Sequence, residues 1–523
     1  MSRVGAATVA PVPLGHAVEL TAGVADSGSG VRLAASWTWA RSVLSEQQVG
    51  RLSRLWCEVL AGLCACVVRG GGGLTPSDVV PAVLSQRQIE ELERRCAVAD
   101  VLPLTPLQQG LLFHAAAVGA DGDDVYAVQL DIELTGRLDA QRLRAALGSV
   151  LRRHPHLAAH FITDYDEPVQ LIPADPQLHW TYGDFGSASG VDEQLDSLRA
   201  DERAAVLDLA RPPLFRAALA RTGSDRYHLI LTNHHIILDG WSLPILLAEI
   251  LAGYQGRHLP PATPYRRFVC WLAERDHHSA YTAWRTALAD LDNPTLIAPG
   301  QRIRLGARGI ASTRLPKEIT GHIGELARRC HSTVSTVLQA AYAQVLMMLT
   351  GQHDVVFGTA VSGRPADLPG AEAMVGLFIN TVPVRARATA VTTGAELVEQ
   401  LQRFYTDTLD HHHLALTDIH RAGGHDQLFD TLFVYENYPI DTSSLSVDDQ
   451  LAVAGFTAWE RNHYPLTMQV QPGSALTVRV EHDADVFDRV TVEGLVARFE
   501  RVLGQMVADV SRRVSGLDVL VDG

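Results

Sequence analysis

The sequence predicts a two-lobed α/β protein, and three observations carry that prediction. Short apolar strands alternate with amphipathic helices along most of the chain, the mark of mixed layers. The alternation restarts after residue 275 with a charged helix, so the elements fall into two successive sets. The 523 residues, 47% hydrophobic and 20% charged, exceed one ordinary domain and can fill more than one large core.

An internal repeat opens the chain. Residues 31–63 and 474–506 align without a gap at an offset of 443. Leu33 falls on Leu476, Leu44 on Phe487, Ser45 on Asp488, Leu52 on Leu495, Trp56 on Phe499 and Leu60 on Leu503. Each copy reads as a strand, a turn, a Ser or Asp helix cap and an amphipathic helix. A further apolar strand precedes each, at 17–20 and 466–470. A single distant copy is not a solenoid repeat. Residues 1–69 are therefore expected to be the tail of a preceding domain of the same fold.

Residues 70–97 are expected to be a linker. It has a flexible Gly70–Gly73 run, Thr75-Pro76-Ser77-Asp78 turn chemistry and a short helix over 86–96. A first lobe is expected over 98–275. It contains a helix capped near Asp139 that buries Leu143, Leu147, Val150 and Leu151, a strand at 227–232 and a helix at 241–254. A second lobe is expected over 276–523. It has a strand at 308–315, helices at 319–330 and 333–348, and strands around 354–359, 376–387, 428–436 and 465–480.

Composition excludes some functions. A formal charge of −15 argues against nucleic acid as a partner. Cys57, Cys64, Cys66, Cys96, Cys270 and Cys330 form no CxxC pair and no metal-finger spacing, so free thiols in a reducing cytoplasm are expected. No apolar run reaches the roughly 18 residues of a membrane span.

The chemistry concentrates where the strand at 227–232 runs into Asn233-His234-His235. Adjacent side chains of extended chain point to opposite faces, so only one histidine can face a given cavity. Asp239 follows four residues after His235, and Gly240 makes the turn into the next helix. A histidine held this way can orient or deprotonate a nucleophile. The HExxH pattern of helical zinc sites is absent, and no metal is expected.

His234-His235-x-x-x-Asp239-Gly240 resembles the HHxxxDG signature of nonribosomal peptide synthetase condensation domains, members of the chloramphenicol-acetyltransferase-like superfamily. Further stretches resemble that family's motifs in the family's order, over about residues 98–520. They are Leu104-Thr105-Pro106-Leu107-Gln108-Gln109-Gly110, Arg153-His154-Pro155-His156-Leu157, Tyr265-Arg266-Arg267-Phe268-Val269-Cys270-Trp271, Val375-Gly376-Leu377-Phe378-Ile379-Asn380-Thr381, Phe429-Asp430-Thr431-Leu432 and Glu460-Arg461-Asn462-His463-Tyr464-Pro465-Leu466.

The resemblance implies two lobes in a V with a tunnel between them. It implies amide-bond formation between a donor acyl or peptidyl thioester and an acceptor amine. Both are carried on the phosphopantetheine of upstream and downstream peptidyl carrier proteins, with an adjacent adenylation domain and no cofactor bound to this chain. His235 would be catalytic, with the Gly240 amide at the reacting centre. His234 would point away, and Asp239 would hold the loop through an ion pair. Trp241, Ser242, Gln108, Asn380 and Tyr265 are the expected tunnel and motif residues.

Ala158 stands where the family usually has a second arginine, which leaves Arg153 and Arg267 as candidate partners of Asp239. His411-His412-His413 stands where the family has a glutamine motif, and a solvated or tunnel-lining stretch is expected there. Trp241-Ser242 after the glycine favours condensation over epimerisation, and the Leu-Thr-Pro-Leu-Gln-Gln-Gly opening resembles the subtype that takes a D-configured donor. An epimerisation domain and a non-catalytic docking domain are the alternatives.

Overall fold

The computed structural model describes residues 15–26, 31–69, 72–118, 126–186, 190–206, 208–209, 213–300, 307–437 and 451–516. Gly70 and Gly71 of the expected linker lie outside them. The chain divides into two compact units between Thr75 and Pro76.

The first unit is a β-hairpin followed by a helix. Strands β1 (Val18–Asp26) and β2 (Val31–Trp39) pair antiparallel. Helix α1 (Glu46–Val68) starts at a reciprocal cap, in which the Ser45 hydroxyl accepts from the Gln48 amide and Gln48 Oε1 accepts from the Ser45 amide. Only Val49 of α1 is buried, while Leu52, Leu55, Val59, Leu63 and Val67 are exposed.

The second unit opens with α2 (Gln86–Arg95), β3 (Val98–Pro103), α3 (Pro106–Val118), β4 (Ala127–Gly136) and α4 (Ala140–Arg153). Then come β5 (His160–Ile162), β6 (Val169–Pro173), β7 (His179–Asp184), α5 (Val191–Ala204), β8 (Phe215–Arg221), β9 (Arg226–His234), α6 (Ser242–Tyr254) and α7 (Arg266–Ala273). Asp139 caps α4 as expected, accepting from Gln141 and Arg142, and Leu143, Leu147, Val150 and Leu151 are buried.

The second lobe follows with α8 (His277–Ala287), β10 (Arg308–Arg314), α9 (Lys317–Arg329), α10 (Val334–Thr350), β11 (Asp354–Val361), β12 (Asn380–Arg387), α11 (Gly394–Thr408), α12 (Leu416–Ala422) and β13 (Thr431–Tyr435). It ends with β14 (Leu451–Trp459), β15 (Leu466–Gln471), β16 (Thr477–Asp483) and α13 (Arg489–Ala508). Its six-stranded sheet runs β10-β16-β15-β13-β11-β12. Helix α10 is buried along almost its whole length, which explains its nearly continuous apolar sequence. Helices α9 and α10 are apolar enough together to resemble a bent membrane span, but no single helix among the described residues is long and apolar enough to cross a membrane.

The first lobe's five-stranded sheet runs β14-β4-β9-β8-β7. Here the expected division at residue 276 does not hold for one strand. β14 crosses back and pairs antiparallel with β4, from Leu451 opposite Gly136 to Trp459 opposite Gln129. The first lobe's core likewise takes in Met374, Val375, Leu377 and Phe378. One further expectation is redrawn. The strand expected over 376–387 begins only at Asn380, because Gly376 takes φ +150 in a loop. The strands expected around 465–480 form the antiparallel hairpin of β15 and β16.

The second copy of the repeat is again an antiparallel strand pair and a capped helix. Here α13 buries Val492, Leu495, Val496, Phe499, Val502, Leu503 and Met506.

Candidate active site

Strand β9 delivers the signature. It pairs with β4 up to His234 opposite Ala127 and then breaks into a single tight turn, His235–Ile237. The His235 amide donates to the Tyr126 carbonyl at 2.7 Å, which fixes where the turn leaves the sheet. His234 is fully buried and its Nδ1 accepts from the Ile236 amide at 3.0 Å, so it packs under the turn. His235 faces the other way. With Gly240 and Trp241 it lines a cavity of about 1180 Å³ whose walls come from both lobes.

Asp239 is wholly buried and saturated with partners. One oxygen accepts from the Ser242 amide at 2.8 Å and the Ser242 hydroxyl at 2.7 Å. The other accepts from the Phe378 amide at 2.9 Å. Its cation is Arg364, at 3.5 Å. Neither arginine expected from the sequence reaches it. Arg153, at the end of α4, instead pairs with Glu249 of α6 at 2.9 Å, and Arg267 lies on the exposed face of α7.

Arg364 also donates to the Ser242 hydroxyl and to the carbonyls of Ala371 and Met374, and it lies over the Phe378 ring at 4.1 Å. The residue before it must be glycine. Gly363 has φ +60, and a Cβ there would sit 1.8 Å from the Phe378 carbonyl oxygen.

The other motif residues mostly hold this loop from behind. Gln108 donates to the Ile236 carbonyl at 2.9 Å. Tyr265 donates to the Leu377 carbonyl at 2.6 Å and stacks on His156 at 4.7 Å. Burial pushes His156 down to about 3, so the ring is neutral and donates through Nε2 to the Val375 carbonyl at 2.8 Å. Of the five expected tunnel and motif residues, Trp241 and Asn380 line the cavity, whereas Gln108, Tyr265 and Ser242 stand behind its wall.

Asn380 donates to the carbonyls of His412 and Leu414, both at 2.8 Å, so it anchors the triple-histidine stretch. His412 lines the cavity, and burial holds it down at about 4. Among the described residues no cluster of three or more His, Cys, Asp or Glu side chains could hold a metal ion.

Glu460 belongs to one of the motif stretches, yet sequence reasoning gives it no role. On the passage from β14 to β15, it places Oε1 3.2 Å from His235 Nε2. Burial alone would depress the His235 pKa, but the hydrogen bond and charge of Glu460 outweigh it, with smaller help from the ring's own backbone carbonyl and Asp239. The imidazole ends above its ordinary value. Three residues on, His463 shares a hydrogen bond with the Tyr126 hydroxyl through Nδ1 and stacks on His114 at 4.0 Å. The site therefore joins one imidazole to one carboxylate on the wall of a two-lobed cavity. Deprotonated, that imidazole can receive an N–H.

A family model described as "Condensation domain" matches residues 98–523. A linear gramicidin synthase of Brevibacillus parabrevis is 31% identical over 91% of this chain, which spans 10% of that protein. A mycosubtilin synthase of Bacillus subtilis is 32% identical over 87% of the chain, which spans 18% of it. The chain thus covers a small part of these curated relatives. Among solved structures, the starter condensation domain of rhizomide synthetase superposes with a TM-score of 0.69 at 18% identity, covering 80% of this chain and 98% of that one. The first condensation domain of the calcium-dependent antibiotic synthetase gives 0.66 at 22%, covering 81% and 100%. These likenesses carry the fold, two lobes of mixed strands and helices.

Proposed function

Because the chain belongs to the condensation-domain family, we propose that it is an acyltransferase that joins a carrier-bound donor thioester to the amine of a carrier-bound aminoacyl acceptor. The observation that carries this reading is His235 on the wall of a cavity that both lobes share, with Gly240 beside it. The acceptor nitrogen attacks the thioester carbonyl carbon, the C–N bond forms, and the C–S bond breaks with its electron pair on sulfur. The nitrogen's surplus proton passes to the departing thiolate. Neutral His235 accepts an amine N–H and aims the lone pair, while the Gly240 amide lies at the carbonyl oxygen. Aminolysis of a thioester is intrinsically favourable, so orientation supplies most of the acceleration.

The remaining assignments follow from that reaction. Carrier proteins bring both substrates on phosphopantetheine, an adenylation domain loads them, and the chain itself binds no cofactor. The cytoplasm, where such carriers are loaded, is the proposed location. The Leu104–Gly110 opening favours a donor ending in a D-residue. Reconstitution with loaded upstream and downstream carriers, read by mass spectrometry, tests both levels. The expected result is a new amide on the downstream carrier, formed faster from D- than from L-terminated donors. Equal rates would overturn the stereochemical assignment, and no product from any donor would overturn the condensation reading.

A carboxylate beside His235 also invites an epimerisation reading. Two bases that exchange an α-proton between faces must flank the carbon, each within about 3 Å of it, and so stand roughly 6 Å apart. Glu460 and His235 are 3.2 Å apart and occupy one side, which favours condensation.

Residues 1–69 are proposed as the end of a preceding domain of the same fold; of the expected linker 70–97, the stretch from Pro76 packs into the second unit, with Val79, Ile89 and Leu92 buried. Leu52, Val59 and Leu63 are exposed, whereas their counterparts Leu495, Val502 and Met506 are buried. A face patterned for burial implies a lobe to bury it. Amide hydrogen exchange checks this: α1 is expected to exchange far faster than α13 in this chain and to gain protection when the preceding domain is present. Protection of α1 equal to that of α13 in this chain alone would contradict it.

A further inference from the structure

We propose that Glu460 is a positioning residue for the condensation step: its carboxylate holds the His235 ring by Nε2 until the acceptor amine takes that place. The proposal rests on the reading that His235 receives the acceptor amine.

The placement of Glu460 is built in. The segment 460–465 is the return passage from β14, in the first lobe's sheet, to β15, in the second lobe's sheet. It is pinned along its length. Arg308 of β10 donates to the carbonyls of Asn462 at 2.5 Å and Tyr464 at 2.7 Å. Asn462 Oδ1 accepts from the Tyr464 amide at 3.0 Å and the Thr467 hydroxyl at 2.9 Å. His463 is tied to Tyr126, the residue whose carbonyl also accepts from the His235 amide. One residue therefore references both the histidine turn and the glutamate segment. The 3.2 Å contact is a consequence of backbone anchoring on both sides, not of two free side chains meeting.

The charges around the pair are few. His235 faces Glu460 and, more distantly, Asp239, whose charge Arg364 and the Ser242 and Phe378 donors already engage. Glu460 faces His235, Arg479 of β16 and the like-charged Glu481 of the same strand. Removing the Glu460 charge leaves burial as the dominant influence on His235, which disfavours the imidazolium.

An imidazolium has no lone pair for an amine N–H. A doubly protonated ring must first release its Nε2 proton to solvent, after which Nε2 accepts the amine. During attack the proton moves from nitrogen to Nε2 and then to the thiolate sulfur, so His235 ends neutral and the products are an amide and a thiol. The free enzyme's acceptor kcat/KM should therefore rise with pH through the His235 titration.

E460Q keeps an oxygen for the Nε2–H and removes the charge. We expect the His235 ring, followed by NMR in histidine-labelled full-length chain and assigned with H235Q, to titrate above the ordinary histidine value in the native protein and lower in E460Q. The acidic limb of kcat/KM, measured with the carrier-bound pair that gives product, should move to lower pH. Activity relative to plateau near pH 6 should then rise about threefold or more. E460D, which retains the charge, should keep the native limb while lowering kcat. Thermal melting of each variant checks folding. An E460Q ring and limb that titrate as in the native protein would overturn the proposal while leaving the function intact if H235A is slow. A fully active H235A would instead overturn the functional reading itself.

Discussion

Replacing His235 with alanine should slow amide formation by about 10²–10⁴-fold, the range spanned by loss of a positioned acid–base group. The ring's only ion-pair partner among the described residues is Glu460, and it projects into the cavity without filling either lobe's core. The melting temperature should therefore move little, and the loss should appear in single-turnover chemistry with both carriers saturating. A variant that folds normally and condenses at the native rate would remove His235 from the mechanism.

The second large effect is expected at Arg364. Its side chain is 6% exposed, that of Asp239 is not exposed at all, and the pair joins the second lobe's loop after β11 to the signature turn of the first. R364A strands a buried carboxylate and frees the carbonyls of Ala371 and Met374. Breaking one side of such a pair costs about 3–5 kcal/mol. Denaturant unfolding should show a loss in that range, and condensation should fall with it because the Gly240 turn is no longer held. R364K should recover only part of the loss, since an ammonium cannot span the carboxylate, the hydroxyl and two carbonyls as the planar fork does. A stability change below about 1 kcal/mol would show that the Ser242 and Phe378 donors suffice for Asp239.

What sequence reasoning can and cannot reach follows from the range of the interactions. The strand into His234, the tight turn and α6 are legible because each depends on neighbours in the chain: an apolar run ahead of the histidines and a glycine before the helix. The second copy of the repeat is legible for the same reason, with Asp488 capping α13 by accepting from Thr491.

Arg364 is not legible, because its tie to Asp239 passes between two loops and depends on Gly363 admitting the Phe378 carbonyl. A search for a positive charge near the missing arginine at Ala158 instead leads to Arg153, which the turn of α4 directs to Glu249. Glu460 is hidden for a topological reason. It reaches His235 only because β14 leaves its own lobe to join the other's sheet, where only Leu451 of the strand is fully buried. The motif residues Gln108 and Tyr265 do support the site, but from behind the cavity wall and not from within it. Motif membership says that a residue matters to the loop, not which side of the loop it stands on.

The most direct measurement is the intact mass of the downstream carrier after the full chain is mixed with a donor-loaded upstream carrier and an acceptor-loaded downstream carrier in deuterated buffer. The downstream carrier should gain the mass of the donor acyl group, the upstream carrier should return to its unacylated thiol, and H235A should suppress both changes. A downstream mass that stays unchanged while the donor's terminal residue takes up α-deuterium would contradict the condensation reading.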